Sequence, residues 1–119
     1  MVFKVVTWNV NSITMRINHL IEFIKQHDPD VICLQELKCE TVKFPYEALS
    51  HLPYNLYING QKSYNGVAIL SKIPADEVKI DFTNNPVPDQ ARFIEICFNS
   101  FMGFTRVISL YAPNGGVVG

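Results

Sequence analysis

The sequence predicts an α/β fold, and three observations carry that expectation. A strand, a helix and a strand follow one another within the first 36 residues; an apolar run at Val31, Ile32, Cys33 and Leu34 has no polar alternation; and beyond residue 54 the pattern is wholly β. A short β-rich run without alternation is what a strand covered on both faces looks like, so this run is the expected centre of a sheet. It ends abruptly in Gln35, Glu36, Leu37 and Lys38. Polar side chains at the end of a central strand are anchored by a packed core yet open to a rim, which makes Glu36 a candidate carboxylate for a hard cation.

Hydrophobic residues make up 48% of the 119 and charged residues 18%, the balance of a folded chain rather than a disordered one. The net charge of −1 supplies no global basic field, so any nucleic-acid binding must rest on a local cluster of Lys and Arg. Cys33, Cys39 and Cys97 are odd in number and form no C-x-x-C pair, which suits a reducing compartment. No apolar run approaches the roughly 18 residues a membrane span needs, and no signal-peptide pattern opens the chain. The expectation is a soluble cytoplasmic protein with no membrane partner.

Residues 2–9 read as a β-branched and aromatic strand ending in the polar segment Asn9-Val10-Asn11-Ser12. From 15 to 26 the apolar positions Ile17, Leu20, Ile21 and Ile24 recur at helical spacing, with Ser12 or Thr14 to cap the start and Asp28-Pro29 to stop the helix. If the flanking strands are parallel neighbours, the crossover brings Asn9 and Glu36 to one rim. A short helix is expected over 46–52, and strands over 54–58, 66–71, 77–82, 92–98 and 106–111, with a Pro-rich loop at 84–88. No repeat, low-complexity tract or linker divides the chain, which is read as one unit over 1–119, and its ending in a loop reads as that of a fragment.

Four segments carry chemistry when taken together: Trp8-Asn9-Val10-Asn11-Ser12, Leu34-Gln35-Glu36-Leu37-Lys38, Tyr64-Asn65-Gly66-Val67 and Tyr111-Ala112-Pro113-Asn114-Gly115. In order and approximate spacing they resemble the amino-terminal half of the exonuclease III type of apurinic/apyrimidinic endonucleases, within the endonuclease/exonuclease/phosphatase superfamily. The resemblance implies half of a four-layer α/β/β/α sandwich, truncated. It implies a DNA-repair nuclease that cleaves phosphodiesters beside abasic sites and from 3′ ends, with Mg²⁺ (or Mn²⁺) as cofactor and double-stranded DNA as partner, monomeric at full length. Asn9 and Glu36 would belong to the metal and phosphate network, Tyr111 would be catalytic, its hydroxyl contacting the scissile phosphate, and Asn114 would contact phosphate. Lys38, Arg92 and Tyr64 match DNA-contacting positions, Tyr64 as an aromatic wedge in a distorted groove.

The residues by themselves leave other readings open. Asn9 and Asn114 suit turns, Tyr111 suits a strand end, and its phenol can act as a donor or, with a lowered pKa, as a base. Two departures stand out: Thr14 occupies a position where the family has Arg, and Leu37 one where it has Thr. The family's Asp-x-Asn segment and terminal Asp-His pair would fall beyond Gly119, and His19, His27 and His51 read as structural or exposed. The chain alone is therefore expected to be inactive. The rivals are a non-catalytic interaction module of the same fold and a phosphoesterase acting on lipid or inositol phosphates. A missing half would also leave one face bare, with Ile94, Ile96, Phe98, Ile108 and Leu110 as the candidates for exposure.

Overall fold

A computed structural model describes residues 2–113. Strand β1 (Val5–Asn9), helix α1 (Ile13–His27) and strand β2 (Val31–Gln35) open the chain, and β1 pairs in parallel with β2 so that Asn9 stands opposite Gln35. A 3₁₀ turn (Thr41–Lys43) and the one-turn helix α2 (Tyr46–Leu49) lead to β3 (Asn55–Asn59) and β4 (Val67–Ser71), which complete a sheet ordered β1-β2-β4-β3. Strands β5 (Glu77–Lys79), β6 (Phe93–Ser100) and β7 (Gly103–Leu110) form a second, antiparallel sheet.

The alternation of side chains along each strand assigns the layers. Ile32 and Leu34 of β2, with Ala68 and Leu70 of β4, face the helices and bury Leu20 and Ile24 of α1 and Leu49 of α2. Val31, Cys33, Val67 and Ile69 face the other way, onto Ile94, Ile96 and Phe98 of β6. β2 is thus buried along its whole length, as its uninterrupted apolar run predicts. Helices, sheet and sheet make three of the four layers that the resemblance implies.

Helix α1 begins two residues before the expected start because Ile13 is drawn fully into the core and its N–H bonds to the Leu37 carbonyl at 3.0 Å. Ser12 caps it, its Oγ accepting from the Met15 N–H at 3.4 Å, and Asp28 ends it in the left-handed region at φ 47°. The fifth strand is shorter than 77–82, since past Lys79 the chain turns away, Asp81 accepts from the Phe82 N–H and Asn85, and the Phe82 ring lies 4.9 Å from that of Phe93. A second correction concerns exposure. Ile94, Ile96 and Phe98 are fully buried because the first sheet itself covers them, each burial stabilising by about 1.5–3 kcal/mol. Ile108 and Leu110 point from the opposite face of β7 and are 50% and 56% exposed. Among the described residues no helix is long and apolar enough to cross a membrane.

Candidate active site

The rim of the first sheet is shaped by the three residues that follow β2. Leu37 is fully buried, and its N–H bonds to the Gly66 carbonyl at 3.0 Å, while its own carbonyl accepts from Ile13. The Glu36 carbonyl accepts from the Ser12 N–H at 2.9 Å, and the Lys38 N–H donates to Asn65 at 3.0 Å. With Leu37 pinned between them, Glu36 and Lys38 both adopt left-handed backbone, φ 55° and 56°. For non-glycine residues that costs about 1–2 kcal/mol each, and it persists because four backbone hydrogen bonds and a core leucine over-determine the loop. Both charged side chains are thereby directed to the same open cleft.

Tyr111 arrives there from the second sheet. Its N–H extends the ladder by donating to the Arg92 carbonyl at 2.8 Å, and its hydroxyl donates to Glu36 Oε1. That hydrogen bond, then partial burial and the nearby carboxylate charge, raise the phenol above its ordinary pKa, against a smaller opposing effect of Arg92. The cleft, of about 440 Å³, is lined by Glu36, Lys38, Tyr64, Arg92 and Tyr111 together with Gln61, Asn65, Gln90 and Pro113. Tyr64 is 70% exposed at its mouth, and Arg92 Nε, though buried, finds no acceptor among the described residues. One carboxylate, one phenol donor and two cations therefore converge on a hollow able to take an anionic group.

Asn9 stands at the same rim, at the end of β1, but does not line the cleft. Its Oδ1 accepts from the Asn11 N–H at 3.1 Å, and Asn11 Oδ1 in turn accepts from Lys38 Nζ at 2.6 Å. Asn11 is thus a site residue that the sequence reading passed over; its signal was being the second amide of Asn9-Val10-Asn11. Gln61 and Gln90 were missed as well, since nothing local marks them. Asn114 lies outside the described residues. The histidines stay away from the cleft, His27 packing its ring 4.6 Å from Phe23.

No group of three His, Cys, Asp or Glu able to hold a metal exists among the described residues. The oxygen donors at the rim, the Glu36 carboxylate and the Asn9 amide, suit a hard cation that keeps most of its waters, and are too few for an all-protein cage. A larger hollow of about 570 Å³ on the outer face of the second sheet, lined by Lys79, Asp81, Phe82, Thr83, Phe93, Glu95 and Ile108, sets two carboxylates against one lysine and so lacks the paired cations that an anionic group needs.

Residues 6–116 match the model of the Endonuclease/Exonuclease/phosphatase family. Exodeoxyribonuclease III of Haemophilus influenzae is 34% identical over 112 residues, which are 94% of this chain and 42% of the relative. Among solved structures, a 3′-5′ exonuclease from Neisseria meningitidis superposes with a TM-score of 0.84 at 36% identity, over 95% of this chain and 43% of that one. An AP endonuclease from Archaeoglobus fulgidus superposes with a TM-score of 0.74 at 36% identity, over 80% of this chain and 37% of that one. The chain spans less than half the length of each of these relatives.

Proposed function

Since the chain belongs to the endonuclease/exonuclease/phosphatase family, we propose that its cleft binds the phosphodiester of double-stranded DNA as part of a metal-dependent nuclease. Its substrates are abasic sites and 3′ ends, and it works in the reducing cytoplasm that three free cysteines suit. The observation that supports this most is the pairing of Glu36 with the Tyr111 hydroxyl in a cleft flanked by Lys38 and Arg92. Hydrolysis of a phosphodiester needs its negative charge neutralised, a water aimed in line and the leaving oxygen stabilised. Lys38 and Arg92 neutralise and position the backbone without reading sequence. Tyr111 has one proton, given to Glu36 in the free site; with a phosphate in the cleft that donation would turn to an oxygen on which charge develops. Tyr64 packs against the distorted sugar or its neighbouring base, and Asn114 adds a phosphate contact.

Glu36, with Asn9 as a second oxygen donor, holds the Mg²⁺ (or Mn²⁺), which when bound supplies Lewis-acid neutralisation of the phosphate. Among the described cleft residues there is no histidine or second carboxylate to deprotonate a water. We therefore assign residues 1–119 the phosphate-binding and metal-anchoring share of the site, without turnover by themselves.

The test is a cleavage assay on an abasic-site duplex with Mg²⁺. It compares the 119-residue chain, the same chain followed by the carboxyl-terminal remainder of the Haemophilus influenzae relative, and Glu36→Gln in both. Cleavage is expected only in the longer chain with Glu36 intact, since loss of a general base alone removes about 10²- to 10⁴-fold in rate. Turnover by the 119-residue chain that vanishes in Glu36→Gln would show that the division of labour is wrong. Hydrolysis of an inositol phosphate in place of DNA would select the phosphoesterase reading.

A further inference from the structure

Beneath the cleft lies a buried polar group that the proposed reaction does not itself use. Gln35 is the last residue of β2, only 9% exposed, on the face of the first sheet that packs against the second. Its Nε2 donates to Thr7 Oγ1 of β1 at 3.0 Å and to Ser109 Oγ of β7 at 3.1 Å. Ser109, 1% exposed, donates onward to the Leu34 carbonyl at 3.0 Å. The rest of the sheet-to-sheet interface, Val31, Cys33, Val67 and Ile69 against Ile94, Ile96 and Phe98, is apolar, so a layer of three polar side chains carries a desolvation cost that an all-apolar layer would not and needs a reason to be there.

Its partners supply one. Thr7 is two residues before Asn9, Ser109 two residues before Tyr111, and Gln35 itself one residue before Glu36. Along a strand two residues rise about 7 Å and return the side chain to the same face. One amide therefore ties, a single layer below the rim, the three strands that carry Asn9, Glu36 and Tyr111. Two of those strands share a sheet and are already registered by their ladder, Asn9 against Gln35. The third belongs to the other sheet, and apolar packing between sheets does not by itself fix how one slides over the other. Asn59 Nδ2 donates to the Phe93 carbonyl at 2.9 Å and so ties β3 to β6, but at β7 the directional contacts are those of Ser109, to Gln35 and to the Leu34 carbonyl.

We propose that Gln35 is a positioning residue: it locks the two sheets in the one offset at which the Tyr111 hydroxyl meets Glu36. This rests on the reading of Glu36 and Tyr111 as the working pair given above. Removing the amide leaves Ser109 with its one bond to the Leu34 carbonyl, about which the hydroxyl can turn, so β7 shifts while both sheets survive and the pair comes apart before the fold does.

The experiment uses the 119-residue chain with tyrosine labelled with ¹³C at Cζ, at fixed neutral pH, the Tyr111 resonance being assigned by its disappearance in Tyr111→Phe. Donation to a carboxylate sets that resonance apart from the resonance of exposed Tyr64. Gln35→Met, of equal length and without the amide, and Ser109→Ala, which severs the bond at one atom, are each expected to bring the Tyr111 resonance to the exposed-tyrosine position with the backbone spectrum retained. Gln35→Met is also expected to weaken Mg²⁺ binding about 10- to 100-fold, the usual effect of losing a group that orients a ligand. A Tyr111 resonance that stays in place while the melting temperature falls would overturn the proposal, leaving Gln35 a purely structural residue. In the unaltered chain the Gln35 side-chain amide should exchange slowly with solvent; fast exchange would overturn the proposal without any variant. If the unaltered chain binds no Mg²⁺, the metal reading of Glu36 fails, and the Tyr111 resonance still decides the role of Gln35.

Discussion

Replacing Gly66 by alanine tests how the rim loop is held. Gly66 adopts φ +91°, and a Cβ added there meets Leu37 Cβ at 2.9 Å and the Leu37 nitrogen at 3.4 Å. Two costs therefore combine: the backbone conformation, about 1–2 kcal/mol for a residue with a Cβ, and overpacking of a fully buried leucine, about 1–3 kcal/mol. Gly103 separates them, since it has nearly the same backbone, φ +93°, and nothing within 4 Å of an added Cβ. Gly103→Ala should thus lose about 1–2 kcal/mol and Gly66→Ala about 2–5 kcal/mol, both tolerable for a domain stable by about 5–15 kcal/mol. In urea unfolding, with a slope of about 1–3 kcal/mol per molar, the excess moves the midpoint of Gly66→Ala below that of Gly103→Ala by on the order of 1 M. Because Leu37 sits between Glu36 and Lys38, the same variant should disturb their resonances and Gly103→Ala should not. Equal midpoints for the two variants would refute the argument that Gly66 is required by the approach of Leu37.

Burial pushes the Cys33 thiol up to about 11, so the folded chain keeps a proton that the unfolded chain loses from about pH 8.5. Stability is then whole below that pH and falls by about 3 kcal/mol as pH rises through 11, and Cys33→Ala should flatten that part of a pH-stability curve. Tyr111→Phe removes a donor to Glu36 while keeping the ring; in the longer chain it should lower kcat and leave fold and DNA binding nearly intact, read by steady-state kinetics beside fluorescence anisotropy. On the outer face of β7, Ile108→Thr and Leu110→Lys should change stability by no more than about 0.5 kcal/mol while reducing self-association in sedimentation velocity, because both side chains are about half exposed.

Much of this molecule is written in local pattern. The unbroken run Val31 to Leu34 announces a strand buried on both faces, the spacing of Leu20 and Ile24 announces α1 and its inward stripe, and a polar end on each of the first two strands, once they pair in parallel, brings Asn9 and Glu36 to one rim. Such features are legible because period and side-chain direction are properties of a single element. Tertiary structure alone decided the rest. Tyr111 meets Glu36 across 75 residues, and nothing in either segment names the other. Ile94, Ile96 and Phe98 alternate like a strand with one bare face, yet the first sheet lies over that face, a fact of sheet pairing and not of the strand. The left-handed backbone at Glu36 and Lys38 runs against the preference of both residues, and is imposed by Leu37 entering a core built from other parts of the chain. Gln35 reads locally as one more polar residue at a strand end; only the arrival of Ser109 from the other sheet makes it a tie between them. Local sequence sets which faces are apolar, whereas which face meets which is settled by packing between elements distant in the chain, where no periodicity reaches.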